Sequence, residues 1–507
     1  MLIDTSVIIT LSIVAIILVS FFYIPDLHFG LNLGDEGYLW FGTQQVIERK
    51  IPIRDFRAYD PGRYYWMVPW FLLFGKNIIS LRIAQNFTQC ITLFIGLIFI
   101  YLYTNNVVLS VLLGLSIVPW LIPRHKQIDI LFSVMTPFAL LLTLQSPEFS
   151  HFFILGLYLG ICMLFGLNHV LYASISLILV LILLEFKGQQ ILTGNNLTAL
   201  FSGFTLFLIP IFLLFIFIPR LFSSYWQKKI LRIVKRRHAN LRLPLPWLWN
   251  KNTPQLNSLT VSGQIFIKIV FTSMPFIYIW FFFQFLNTLD LTSQSITNLV
   301  LASCGLMYFH HASSRADISH IAQSLLPYTL LLINSSDSIW IYLLLVSYIL
   351  FSFKFIYWEN IEWPKYLINP NNYSKLKLNT ASIFIPSNQS LYVNIVKNLV
   401  CKYSKKNDHV VLLPNIVTFY PLLERKPAIY DIFSVYAPSD DEQDEMIVQM
   451  KTNKPSFLLI NNVAIDGRKK LEFINSHNKV WAYIQNNFYQ IENNELPQTH
   501  FAFRPIN

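Results

Sequence analysis

Asp35 and Glu36 stand side by side in Gly34-Asp35-Glu36-Gly37-Tyr38-Leu39-Trp40, just past an apolar run, Ser6 to Ile24, long enough to cross a bilayer. Two adjacent carboxylates at a membrane surface are costly to desolvate, so they belong in water or at a polar site rather than against lipid. A positioned carboxylate can serve as a general base toward a hydroxyl group. The glycine on either side lets the backbone come close to a ligand. The plainer alternative is a surface acidic pair that caps a helix. An aromatic and basic stretch follows, Arg49-Lys50-Ile51-Pro52-Ile53-Arg54-Asp55-Phe56-Arg57-Ala58-Tyr59-Asp60-Pro61-Gly62-Arg63-Tyr64-Tyr65.

A second constellation is Arg315-Ala316-Asp317-Ile318-Ser319-His320, ahead of an apolar helix. Asp317 and His320 are three apart and share a face in a first helical turn. Ser313 or Ser314 can cap that turn, whose free N–H groups make an anion site, and the Arg315 fork suits phosphate oxygens. An interfacial Arg–Asp pair anchoring a helix end is the alternative, and a metal site from His310, His311 and His320 is a third, although their spacing suits no standard set. The third cluster, Arg124-His125-Lys126, follows Pro119 and Pro123, and attracts anionic headgroups by default. His169, alone beside Asn168, reads as a satisfied interfacial histidine. The basic loop 220–262 carries Arg220, Lys228, Lys229, Arg232, Lys235, Arg236, Arg237, Arg242 and Lys251, and ends in a proline- and tryptophan-rich stretch that reads as an interfacial anchor or as a mobile lid.

The elements that must position these groups are set by composition. The 507 residues are 54% hydrophobic and only 13% charged, with a mean hydropathy of +0.48; soluble domains are nearer ~25% charged. We read a polytopic α-helical membrane protein with about eleven spans near 6–24, 78–103, 107–122, 128–145, 151–167, 170–186, 198–219, 263–286, 295–310, 321–334 and 338–357. The first has no basic n-region or small-residue cleavage site, so it reads as a retained helix. Tyr65 to Phe74 is too short to cross and reads as an interfacial or re-entrant helix. From residue 360 onward, β-rich runs (Ser382–Ile385, His409–Leu413, Ser456–Ile460, Val480–Ile484) alternate with helical patterns at 390–403 and 440–452, which predicts a small C-terminal α/β domain, 360–507, after a membrane core, 1–359. Cys90, Cys162, Cys304 and Cys401 form no disulfide framework and no zinc motif.

Numbering the spans puts the loop 25–77 with Asp35, the Arg124 cluster, the Asn168-His169 turn, the basic loop, the His310–His320 loop and the C-terminal domain on one face. The short loops near Thr104–Asn106, Ser146–Ser150, Lys187–Asn196, Asn287–Gln294 and Ser335–Asp337 fall on the other and carry almost no candidate chemistry. An active site at one membrane interface accounts for that asymmetry.

The order of the first loop resembles that of the GT-C superfamily, integral-membrane glycosyltransferases such as protein O-mannosyltransferases and lipid A aminoarabinose transferases. The Arg315 loop, and the phrases Val410–Asn415, Phe419–Ala428 and Lys454–Ile460, are similar to parts of bacterial relatives. The resemblance implies transfer of a sugar from a polyprenyl-phosphate donor to a lipid, glycan or protein acceptor, by an inverting displacement with Asp35 as general base and Glu36 as alternative or partner. It implies that Arg54, Arg57, Arg63, Arg124, His125, Lys126, Arg315, Asp317 and His320 bind substrate or its phosphate, and that Asp55 and Asp60 orient the arginines. No cofactor is expected; Asp35 with Glu36 could hold a divalent metal, but no further ligands are visible in the sequence. Nucleic acid is not an expected partner; the bilayer is.

Charge counting favours a cytoplasmic active face. The resemblance places the first loop and C-terminal domain outside a bacterial inner membrane, and we follow it, because a phosphate site needs cations whatever the topology. A lipid-glycan flippase or transporter, or an O-antigen ligase or polymerase, would collect basic residues too. The first should show repeat halves and the second a large late Arg/His loop, rather than Asp-Glu after the first span.

Overall fold

The computed structural model describes residues 3–236, 240–288, 291–335, 339–378 and 380–506. Of the loop residues considered above, Arg237, His238, Ala239, Leu289, Asp290, Ser336 and Asp337 lie outside these. Packing divides the chain into two compact units, Met1–Pro25 with Gln85–Ile361, and Asp26–Ala84 with Glu362–Asn507.

The first unit is helical. Among the described residues, seven helices, Thr5–His28, Ile78–Thr104, Arg124–Gln145, Leu167–Phe186, Gly194–Phe217, Val261–Asn287 and Ile339–Trp358, are long and apolar enough to cross a membrane, and Val107–Trp120 and Phe149–Phe165 are shorter apolar helices. The protein is a polytopic helical membrane protein. Large apolar side chains such as Ile216, Phe217, Phe276 and Trp280 stand exposed on these helices, as expected where lipid rather than water is the neighbour.

Three predicted spans take a different local form. The run 107–122 is regular helix only over Val107–Gly114 and ends in a tight turn at Val118–Trp120; Pro119 and Pro123 withhold the N–H groups that would continue the ladder. The run 321–334 is broken into Ile318–Ala322 and Leu326–Asn334, with Pro327 in the opening turn of the second piece, where its missing donor costs nothing. The run 338–357 is α-helical over Ile339–Phe351 and widens into a π turn at Ser352–Trp358.

The second unit holds a hairpin of β1 (Tyr373–Leu378) and β2 (Ala381–Pro386) and a five-stranded sheet. The sheet contains β3 (His409–Leu413), β4 (Lys426–Pro427), β5 (Phe457–Asn461), β6 (Phe488–Ile491) and β7 (His500–Pro505), in the order β4-β3-β5-β7-β6. β3 is parallel to β4 and β5, whereas β7 is antiparallel to both β5 and β6. β3 and β5 are buried along both faces, which is why they read as unbroken apolar runs. On one face Val410, Leu412, Phe457 and Leu459 pack with Val393, Val396 and Val400 of the Ser387–Tyr403 helix and with Tyr38, Leu39, Phe41, Phe56, Tyr64 and Met67 of the early segment. On the other, Val411, Leu413, Leu458 and Ile460 pack with Met446, Met450, Val480 and Ile484.

The predicted strand Val480–Ile484 is instead part of a helix, Asn478–Asn487. Val480 and Ile484, four apart, form its buried stripe, a spacing that five residues of mixed aromatics had disguised as alternation. The short run Tyr65–Phe74 lies in the Pro61–Phe74 helix, which has Pro61 at its first position and Gly75 after its last turn.

Candidate active site

Asp35 opens the Asp35–Ile47 helix, so its negative charge meets the positive end of the helix dipole. The turn before it is held by Asn32, whose Oδ1 accepts from the backbone N–H of Gly34 at 3.0 Å and of Asp35 at 2.8 Å. The Asp35 carboxylate is half-buried and accepts a hydrogen bond from the Tyr59 hydroxyl at 3.1 Å. Burial, and then the negative charge of Asp35, push the Tyr59 phenol well above its usual pKa, so it stays a neutral donor. Tyr38 meets the Tyr59 ring edge-on at 4.8 Å, and the Arg63 guanidinium lies over the same ring at 5.8 Å.

Glu36 points elsewhere. It is 2% exposed, and its two oxygens accept from Arg82 Nε and Nη2, both at 3.0 Å, with a further bond from the Asn32 N–H at 3.1 Å. Arg82, wholly buried, spends its remaining N–H groups on the carbonyls of Leu27 at 2.7 Å, Phe29 at 3.2 Å and Gly30 at 2.7 Å. All five guanidinium donors are therefore used, and the pair fixes the turn that carries Asp35.

The first-loop arginines divide. Arg54 makes a bidentate pair with Asp55, Nε–Oδ1 at 2.8 Å and Nη2–Oδ2 at 2.9 Å. Burial works against the Asp55 charge, but Arg54 and the Ile51 N–H outweigh it and hold the carboxyl below its usual pKa. Arg57 is paired with Asp431 and donates to the Phe433 carbonyl at 2.6 Å. Burial disfavours the Arg57 charge and Asp431 restores it, leaving the guanidinium more strongly basic than usual. Asp60 precedes the Pro61–Phe74 helix and its carbonyl accepts from the Arg63 N–H at 3.2 Å. Arg63 is thus brought beside the Asp35–Tyr59 pair, over the Tyr59 ring.

In the first unit, Asp317 is the N-cap of the short Ile318–Ala322 helix. Its Oδ1 accepts from the His320 backbone N–H at 3.0 Å and pairs with His320 Nδ1 at 2.8 Å, while Oδ2 accepts from Arg315 Nε at 2.8 Å. Burial would raise the Asp317 pKa, but the His320 and Arg315 partners outweigh it and hold it far below the usual carboxylate range. Ser313 and Ser314 do not cap this turn, as the sequence reading had it; their hydroxyls donate back to Phe309 O at 2.9 Å and His311 O at 2.7 Å in the preceding helix. The Asp317 carboxylate itself occupies the helix start. Arg315 Nη1 also reaches the Leu241 carbonyl at 3.1 Å. His311 Nε2 bonds Gln323 at 2.6 Å and His310 Nδ1 bonds Tyr172 at 3.3 Å. Among the described residues no three His, Cys, Asp or Glu side chains are grouped to hold a metal ion.

Arg124, His125 and Lys126 form a tight turn leading into the Gln127–Gln145 helix. Gln127 secures that turn by donating to the carbonyls of Leu121 at 2.8 Å and Pro123 at 3.1 Å. Two residues on, Asp129 meets His169 Nε2 at 3.1 Å, and His169 Nδ1 meets the Tyr308 hydroxyl at 3.2 Å. These contacts gather the first turns of the Gln127–Gln145 and Leu167–Phe186 helices with the last turns of the Ser293–Ser314 helix at one end of the unit.

Sequence reasoning overlooked Arg82, Tyr59 and Asp129, and set His169 aside. Arg82 and Asp129 carried a usable signal, a lone charge within an apolar run, which needs a partner. The roles of Tyr59 and His169 depend on contacts across 24 and 40 residues, which no local pattern announces.

No family model matches this sequence, and no curated protein matches it. Among solved structures the chain is similar to the crystal structure of ArnT from Cupriavidus metallidurans bound to undecaprenyl phosphate, with a TM-score of 0.54 at 10% identity over 99% of this chain and 98% of that one. The oligosaccharyltransferase of Archaeoglobus fulgidus in the apo form aligns with a TM-score of 0.47 at 12% identity, over 98% of this chain and 74% of that one. The chain therefore shares its overall fold with that ArnT structure.

Proposed function

We propose that this protein is a membrane glycosyltransferase that moves a sugar from a polyprenyl-phosphate donor to a hydroxyl of a lipid, glycan or protein acceptor. The observation that carries the reading is Asp35, a half-buried carboxylate at a helix start, aimed by Asn32, bonded by Tyr59 and supported by the Arg82–Glu36 pair. A buried, fully bonded ion pair beneath a partly exposed carboxylate is the arrangement expected where one group is presented for reaction and its neighbour holds it. The fold shared with a protein crystallised with undecaprenyl phosphate supports a polyprenyl carrier as the donor class.

In this mechanism Asp35 takes the proton of the acceptor hydroxyl as that oxygen attacks the anomeric carbon. The sugar–phosphate bond breaks on the opposite face, the configuration inverts, and the electron pair leaves with the carrier phosphate. Cations lower the barrier by meeting the growing charge of the departing phosphate; in the unit that carries Asp35 this role is assigned to Arg63, and the candidate phosphate-binding residues of the other unit are Arg124, His125, Lys126, Arg315 and His320. Glu36 is assigned a positioning role, because both its oxygens are already taken by Arg82, and Arg54 and Arg57 are assigned to holding the first loop through Asp55 and Asp431. The reading includes no cofactor. It places the protein in a bacterial inner membrane with its C-terminal domain on the extracytoplasmic side.

The test is transfer from a radiolabelled undecaprenyl-phosphate sugar by the purified full-length protein in lipid nanodiscs. Asp35→Asn keeps the size and hydrogen-bonding shape of the side chain but removes the base, and should lower transfer by ~10²–10⁴-fold without changing expression or the melting temperature. Full activity of that variant would overturn the assignment of the base; absence of transfer by the wild-type protein would favour transport of a lipid-linked glycan instead.

A further inference from the structure

The two glycines beside the acidic pair invite a ligand in the sequence, but in the structure they face the C-terminal domain. A methyl group on Gly37 would run into the backbone nitrogen and hydroxyl of Thr418, and one on Gly34 would lie 3.2 Å from the Asn415 carbonyl and from the Phe433 ring. The same turn is hydrogen-bonded there. The Thr418 N–H donates to the Leu33 carbonyl at 2.9 Å, and its hydroxyl donates to the Asn32 carbonyl at 3.2 Å. Asn32 is the residue whose side chain holds the Asp35 N–H, so Thr418 grips the backbone of the residue that aims Asp35.

The segment that makes these contacts follows the carboxyl end of β3, and Asn461 at the end of β5 bonds Asn415 at 3.3 Å. In open sheets with parallel central strands, that edge is where functional loops gather. Further along the domain, Asp431 and the Phe433 carbonyl hold Arg57, and the Phe433 ring stacks on Tyr38 at 5.1 Å. Tyr38 in turn packs on Tyr59, the hydrogen-bond donor to Asp35.

We propose that the C-terminal domain is a working part of the Asp35 site, and that Thr418 is a positioning residue that sets the aim of the Asp35 carboxylate. The inference rests on Asp35 being the base. Thr418 touches no reacting atom. Its contribution is to keep Asn32, and through it the helix start, at one distance from the acceptor hydroxyl, and a small misplacement of a base is felt in the rate.

The experiment uses the full-length protein in nanodiscs with the undecaprenyl-phosphate sugar donor, and compares wild type, Thr418→Val, Thr418→Ser and Asp35→Asn. Thr418→Val keeps the shape and the backbone N–H but loses the hydroxyl. It should lower kcat by about fivefold to tenfold, the rate equivalent of one hydrogen bond, with the donor KM and the melting temperature unchanged. Thr418→Ser restores the hydroxyl and should recover most of kcat. Wild-type kcat in Thr418→Val overturns the inference. So does a loss that serine does not recover, or one matched by a fall in melting temperature, because either marks a merely structural role. If Asp35→Asn is itself active, the assignment of the base fails and this inference falls with it; if Asp35→Asn is dead while Thr418→Val is normal, only the inference falls.

Discussion

Arg82 and Glu36, 46 residues apart, form a buried bidentate ion pair with both N–O distances at 3.0 Å, and the Arg82 guanidinium also binds three backbone carbonyls. One arginine therefore ties the chain at Leu27–Gly30 to the helix that begins at Asp35. Removing one partner of such a pair leaves a buried uncompensated charge, at about 3–5 kcal/mol. Arg82→Met should be poorly folded, as measured by yield and by melting in detergent. Arg82→Met with Glu36→Gln should be more stable than Arg82→Met alone, because the stranded carboxylate is gone. A double variant no better than the single one would show that the carbonyl clamp, rather than the ion pair, dominates.

Arg315 holds Asp317 through Nε and the Leu241 carbonyl through Nη1. Arg315→Ala should raise the donor KM in the transfer assay. Arg315→Lys should recover only part of the loss, because an ammonium lacks the planar fork that reaches two partners. Equal donor KM values in all three proteins would reduce Arg315 to a helix anchor.

Asp317 titrates below the usual carboxylate range, despite its burial, because His320 and Arg315 hold its charge. A depressed folded pKa contributes stability that is fully present above the unfolded value of ~3.9 and is lost as pH falls toward the folded one. The melting-temperature gap between wild type and Asp317→Asn should therefore narrow as pH falls below about pH 4. A gap that closes near neutral pH would show that another group carries the dependence.

Membrane orientation can be read with an impermeant thiol reagent on intact cells. Ser439 is unsuitable for the probe, since its side chain caps the Asp440–Asn453 helix in a capping box with Glu442. Val448 on the same helix is 60% exposed, so Val448→Cys in a background with the exposed Cys401 replaced reports the side without disturbing the cap. Labelling from outside is the expected result. Labelling only after the inner membrane is opened would mean that the charge count, rather than the resemblance, gives the topology.

The sequence by itself determined the class of the protein, the approximate course of its helices and the presence of an α/β domain near its end. These follow from local pattern: apolar runs of spanning length, and unbroken apolar strands such as His409–Leu413 that must be covered on both faces. It also singled out Asp35, since a carboxylate just beyond a spanning run stands out without any partner being known.

Only tertiary structure decided that residues 26–84 fold with residues 362–507 as one compact unit, because Tyr38, Phe41 and Tyr64 find their apolar partners more than 300 residues away in Val410, Val417 and Phe419. The same long-range packing divided the work of two adjacent carboxylates. Successive residues in a first helical turn point about 100° apart, so Glu36 turns inward to Arg82 while Asp35 remains half-exposed beside Tyr59. Composition and spacing cannot distinguish two neighbouring acids; the direction of each side chain within the folded unit does.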